Sequence, residues 1–182
     1  SPVIYDSQRK TERGYLKAAY EKGFTEEKLG CPTIVSNESI VIKGEHMDYD
    51  VCKRPAEADY VLVLTHLKGH LCPGFGGAIK NLGMGALSKE TKGKIHFGGE
   101  PEYQGNCAMC GECEKACPTE NIRYDNSRPF FDKSWCAGCS TCFYACRFKA
   151  IKPKVAPFDV LLSEGAKAAL DSYKKYYFVT IM

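Results

Sequence analysis

CAMCGECEKACP (residues 107–118) and CAGCSTCFYACR (residues 136–147) decide how this sequence is read. Shifted by 29 positions, Cys107, Cys110, Cys113 and Cys117 fall on Cys136, Cys139, Cys142 and Cys146, while Ala108 falls on Ala137 and Ile122 on Ile151. A Cys-x2-Cys-x2-Cys loop wraps three thiolates around one iron–sulfur cluster, with backbone N–H groups turned toward sulfur. The fourth cysteine, on the turn beyond, serves the other cluster of a pair. The spacing therefore predicts two [4Fe–4S] clusters with crossed ligands. Cys107, Cys110, Cys113 and Cys146 would hold the first, and Cys136, Cys139, Cys142 and Cys117 the second. Such runs usually close on Cys-Pro, as Cys117-Pro118 does, whereas Cys146 is followed by Arg147. Proline turns the chain away because it fixes φ and lacks an N–H. It ligates nothing, so the second copy is complete and its arginine is a local variation. Structural zinc is the competing reading. Zinc takes four ligands as two separated pairs and does not call for a four-cysteine run twice.

Composition agrees with metal rather than disulfides. Eight of the eleven cysteines crowd into residues 107–146 of a 182-residue chain, whereas disulfide frameworks belong to short secreted domains. Reduced thiolates imply a reducing compartment, and the expected location is the cytoplasm. Cys31, Cys52 and Cys72 stand alone and read as small buried hydrophobes. A formal charge of +3 is too small to argue for nucleic acid. Apolar runs such as residues 61–64 are strand-sized, far short of the ~20 residues a bilayer requires, so no membrane span is expected.

Around the cysteines the texture alternates between strand and helix, which is an α/β layout. Short strands are expected at residues 3–5, 32–35, 39–42 and 47–52, and a buried one at 60–65. Helical spacing runs from Glu12 to Glu21 with Gly23 placed to end it, and Thr25 can cap a short helix through Leu29. A helical turn is expected at residues 55–58, an amphipathic helix at 163–175 and a terminal strand at 177–181. A terminal strand must pair with something earlier. The expected architecture is an α/β sandwich domain, residues 1–98 plus 155–182, interrupted by a ferredoxin-like two-cluster module at 99–154.

After strand 60–65 comes HLKGHLCPGFGGAIKNLGMGAL, residues 66–87. In open α/β sheets, ligands bind at the carboxyl ends of strands. A candidate ligand loop therefore contains His66, Lys68, His70, Gly76, Gly77, Lys80 and Asn81, with backbone N–H groups at a helix start suited to an anion. It matches neither a dinucleotide fingerprint nor a P-loop. The glycines also serve close packing, and His66 and His70 with Cys72 are a weaker candidate for a third metal site.

With HLKGH, GFGGAIKNLGMG and the two cysteine runs that follow, the sequence resembles the DUF362 family of iron–sulfur centre proteins. The resemblance implies an α/β domain bearing a two-cluster ferredoxin-like module, and brings no substrate. Leu71-Cys72-Pro73 departs from the family pattern.

Three functions compete at this stage. The first is electron transfer between redox partners, an acidic ferredoxin among them. The second is a reductase holding a small anionic substrate at loop 66–85 beside a cluster. The third is an interaction module that clusters merely stabilise. The cysteine segment is charged asymmetrically. Residues 99–125 carry Glu100, Glu102, Glu112, Glu114, Glu120 and Asp125 against Lys115 and Arg123. Residues 126–154 carry Arg128, Lys133, Arg147, Lys149, Lys152 and Lys154 against Asp132. Its basic half would steer an acidic carrier by long-range attraction.

Overall fold

In a computed structural model that describes residues 1–125 and 128–182, the chain is mixed α/β, built from helices and small sheets. Helix α1 (Glu12–Glu21) begins where the Thr11 side chain accepts from the Gly14 N–H, and Gly23 beyond its end has φ of 83°. Helix α2 (Glu26–Leu29) follows Thr25. That threonine does not cap it by hydrogen bond, and its buried hydroxyl has no partner among the described residues. Strands β1 (Ser39–Lys43) and β2 (Asp48–Cys52) form an antiparallel hairpin, followed by α3 (Lys53–Glu57).

Strand β3 (Val61–His66) leads into a short antiparallel hairpin of β4 (Lys68–His70) and β5 (Gly74–Gly76). Helix α4 (Ala78–Lys80) is one turn that continues as a π-helical turn, Asn81–Gly85. Helix α5 (Lys89–Gly98) is capped by Ser88, whose hydroxyl accepts from the Thr91 N–H. The cysteine region contributes β6 (Pro101–Tyr103), α6 (Glu112–Lys115), β7 (Ile122–Tyr124), β8 (Pro129–Phe131), α7 (Thr141–Ala145) and β9 (Ile151–Pro153). The long helix α8 (Phe158–Asp171) and strand β10 (Tyr176–Ile181) close the chain.

Helix α8 organises the main core. Phe158, Leu161, Leu162, Gly165, Ala166, Ala168 and Ala169 are its buried positions, one face at helical spacing. Against that face lie Tyr49 and Val51 of β2, together with Leu87 and Ile95, all fully buried. The Tyr49 hydroxyl donates to Glu164 Oε2 at 2.7 Å, and Glu164 in turn accepts from the backbone N–H groups of Glu45 and His46. One carboxylate thus ties the β1–β2 turn to the helix.

Four expectations need correcting. Residues 3–5 and 32–35 form no strand, because β propensity without a ladder partner leaves backbone groups unpaired. Helix α8 starts at Phe158, directly after Pro157, five residues before its expected start. Strand β3 is buried on one face only: Val63 and Thr65 are covered, while Leu62 and Leu64 are 59% and 61% exposed. Its parallel partner is β10, with Phe178 opposite Val63. Among the described residues that sheet has two strands, so its outer face is open and no continuous sheet forms a sandwich layer.

Candidate functional site

The sequence repeat is also a repeat of conformation. At the 29-residue offset, helix α6 corresponds to α7 and strand β7 to β9. Left-handed backbone recurs in step: Met109 (φ 55°) with Gly138 (60°), Gly111 (78°) with Ser140 (60°), and Glu120 (51°) with Lys149 (54°). Left-handed residues let each loop curl its N–H groups inward. Strand β6 pairs with β9 and β7 with β8, so each copy is laced to the other.

This exchange brings the cysteines into two sets, each lining its own cavity. One cavity is walled by Cys107, Cys110, Cys113 and Cys146, with Tyr124, Pro129 and Ile151. The other is walled by Cys136, Cys139, Cys142 and Cys117, with Ile122, Phe131 and Asn121. Each set takes three thiols from one run and the fourth from the other. Both cavities are narrow, about 10 Å³ and 20 Å³ respectively. Among the described residues no three His, Cys, Asp or Glu side chains converge closely enough for a single ion. Around one zinc, thiolates sit at about 2.3 Å from the metal and hence within ~4 Å of each other. Four thiols around each apolar-walled cavity are the donor type that holds a sulfur-bridged iron group.

Hydrogen bonds reach the sulfurs from the loops themselves. The Met109 N–H points at Cys107 Sγ at 3.4 Å and the Ala150 N–H at Cys146 Sγ at 3.3 Å. The Tyr124 hydroxyl lies 3.0 Å from Cys113 Sγ, and the Thr141 hydroxyl 3.2 Å from Cys139 Sγ. Burial pushes Cys142 up to about 12, helped by repulsion from neighbouring thiols of both sets. Burial likewise raises Cys113 and Cys136. At Cys117 burial acts in the same direction, but the Thr119 hydroxyl and the N–H groups of Asn121, Thr119 and Glu120 together outweigh it, leaving that thiol below its usual range. Ligation to a metal would hold all of these groups deprotonated.

The second cysteine loop is clamped to the main core. His96 of α5 lies with Nδ1 2.7 Å from the Ala137 carbonyl, and its ring is 5.0 Å from that of Phe158. The buried Ser140 hydroxyl donates to the Gly99 carbonyl and accepts from the Phe158 N–H at 3.0 Å. A Cβ on Gly138 would run into the His96 carbonyl. The charge and aromatic pattern of the sequence did not single out His96. The Ser88 capping signal ahead of α5 would have placed it on a helix.

All seven residues of the candidate ligand loop, His66, Lys68, His70, Gly76, Gly77, Lys80 and Asn81, line a third cavity of about 750 Å³. Asn81 anchors the loop, donating to the Leu64 carbonyl at 2.9 Å. The expected helix start is only the three-residue α4, too short to present a helix dipole. His70 Nδ1 accepts from the Cys72 N–H at 3.2 Å. His66, His70 and Cys72 do not gather around an ion. Of the lone cysteines, Cys52 is buried and Cys72 partly so, whereas Cys31 is exposed, contrary to the expectation.

The family described as Domain of unknown function (DUF362) matches residues 1–176, and the chain belongs to it. No curated protein and no solved structure matches the chain. Among the described residues no helix is long and apolar enough to cross a membrane.

Proposed function

We propose that the chain carries two [4Fe–4S] clusters in a ferredoxin-like module, residues 99–154 inserted in an α/β domain, and passes single electrons between redox partners. The observation that carries this reading is the sorting of the eight cysteines into two cavities, three thiols from one run and the fourth from the other. Each cluster, when bound, supplies a one-electron couple whose potential depends on hydrogen bonds to sulfur, nearby charge and solvent exposure. The chain's own residues set those terms. The Met109 and Ala150 N–H groups and the Tyr124 and Thr141 hydroxyls stand by sulfurs, and the exposed Arg147 follows the crossing ligand Cys146. A reversible potentiometric titration of anaerobically prepared protein tests the reading: two one-electron steps support it, and a redox-silent protein contradicts it.

Partner steering is also open to test. Lys149 and Lys152 are exposed. Lys154 is not a free cation: its ammonium lies 2.8 Å from Glu100 Oε2 and 3.4 Å from the Phe97 ring centroid. Reversing Lys154 would break that packing, so the clean variant is Lys149→Glu with Lys152→Glu. It should slow reduction by an acidic ferredoxin several-fold at low ionic strength. The difference should fade once the Debye length drops below ~8–10 Å. Stopped-flow rates that coincide with wild type at low salt would make this face an ordinary solvated surface.

A further inference from the structure

The third cavity has a wall of one charge. Arg9, Lys68, Lys80 and Lys92 line it, with His66, His70 and His96, and among the described residues no Asp or Glu does. The four basic side chains come from four separate parts of the chain, the N-terminal segment, β4, α4 and α5, and burial lowers the Lys92 ammonium to about 8. None of the four is in a salt bridge among the described residues, although Lys92 feels the charge of Glu90. Lys92 is buried and donates to the Pro2 carbonyl at 2.8 Å, and Arg9 donates to the Tyr5 hydroxyl at 2.6 Å. The Lys68 and Lys80 side chains both come close to Gly76, and burial, with the nearby Lys68 charge adding to it, holds the Lys80 ammonium below its usual range. Like charges gathered in a partly desolvated cleft cost free energy unless a counter-charge joins them. At about 750 Å³ the cavity is in the range of metabolite-sized sites. Cys136 and Ala137 form part of the same wall.

We infer that this cavity binds a small organic polyanion, its carboxylate or phosphate groups held between Arg9, Lys68 and Lys80, in contact with the loop that carries Cys136. The binding stands on the cavity alone, while its redox consequence rests on the two-cluster reading. An added negative charge beside Cys136 disfavours reduction of the nearer cluster, so bound polyanion lowers the potential of the cluster assigned to Cys136, Cys139, Cys142 and Cys117.

The test is calorimetric titration of the anaerobically prepared 182-residue chain with pyrophosphate and, separately, with citrate. Iron content is measured on the same sample. At least one probe should bind, and Lys80→Met and Lys68→Met should each weaken it about tenfold or more, the loss expected for a charge-assisted contact. Lys43→Met, at an exposed position of β1 that does not line the cavity, should bind as wild type does. Response to pyrophosphate alone assigns the site to phosphate esters, and response to citrate alone to polycarboxylates. Normal iron content with no binding of either probe overturns this inference and leaves the two-cluster reading standing. Equal affinity in wild type and both cavity variants overturns it too, and makes the bases counter-charges to the neighbouring cluster. A chain that binds a probe but holds no iron sinks the two-cluster reading instead.

Discussion

Cys146→Ala should damage the cluster assigned to Cys107, Cys110 and Cys113, leaving it labile or as a three-iron form, while the cluster of Cys136, Cys139 and Cys142 survives. Sequence proximity suggests the opposite, since Cys146 lies four residues from Cys142. The backbone explains the difference. Helix α7 ends at Ala145, and Cys146 beyond it is extended, with φ of −85° and ψ of 92°. That turn carries its thiol away from its own run and into the cavity lined by Cys107, Cys110 and Cys113. The Ala150 N–H then holds the sulfur from behind. Cys117 makes the reciprocal crossing into the cavity of the second run. Mössbauer and EPR spectra of the variant read the outcome directly. Loss confined to the cluster of Cys136, Cys139 and Cys142 would overturn the crossed assignment.

Gly138→Ala should cost the second cluster and a large share of thermal stability. The residue has φ of 60°, where an L side chain is disfavoured by about 1–2 kcal/mol. The new methyl would also press on the His96 carbonyl, which is helix backbone and cannot rotate aside. Overpacking of that kind adds roughly 1–3 kcal/mol. Relief requires the loop to lift off α5, which breaks the His96–Ala137 contact and shifts Cys136 and Cys139 beside it. Met109 occupies the matching place in the first copy at φ of 55° and already bears a side chain, so Met109→Ala is the control and should be nearly silent. Iron content and melting temperature of both variants decide the matter. A Gly138→Ala protein with wild-type iron and melting would show that the clamp has slack.

The sorting of the cysteines into two sets was readable because the spacing within each run is a local property. Three thiols on one loop and a fourth on the next turn are specified within a dozen residues, and the 29-residue shift exposed the pairing of two such units. Helix α1 and strands β1 and β2 were readable for the same reason, since capping and alternation act over a few residues. What escaped is long-range. Residues 3–5 and 32–35 have strand composition, yet nothing local says that no neighbour will complete their ladders. The one-sided burial of β3 depends on what covers it, and Leu62 and Leu64 look like core residues from sequence alone. Lys154 counted as a steering charge until Glu100, 54 positions away, was found to hold it. His96 and Ser140, which fix the second loop to α5 and α8, likewise act across 41 and 18 residues. The ligand loop was half legible. His66 ends β3 and Lys68, His70 and Lys80 follow closely in sequence, but Arg9 and Lys92 join them only through the fold.

Iron and acid-labile sulfide per chain, measured on protein purified without exposure to oxygen, test the two-cluster reading most directly. Eight thiols in two crossed sets predict about eight iron and eight sulfide per chain, as two cubanes require. One or two zinc ions per chain, with no labile sulfide, would contradict it.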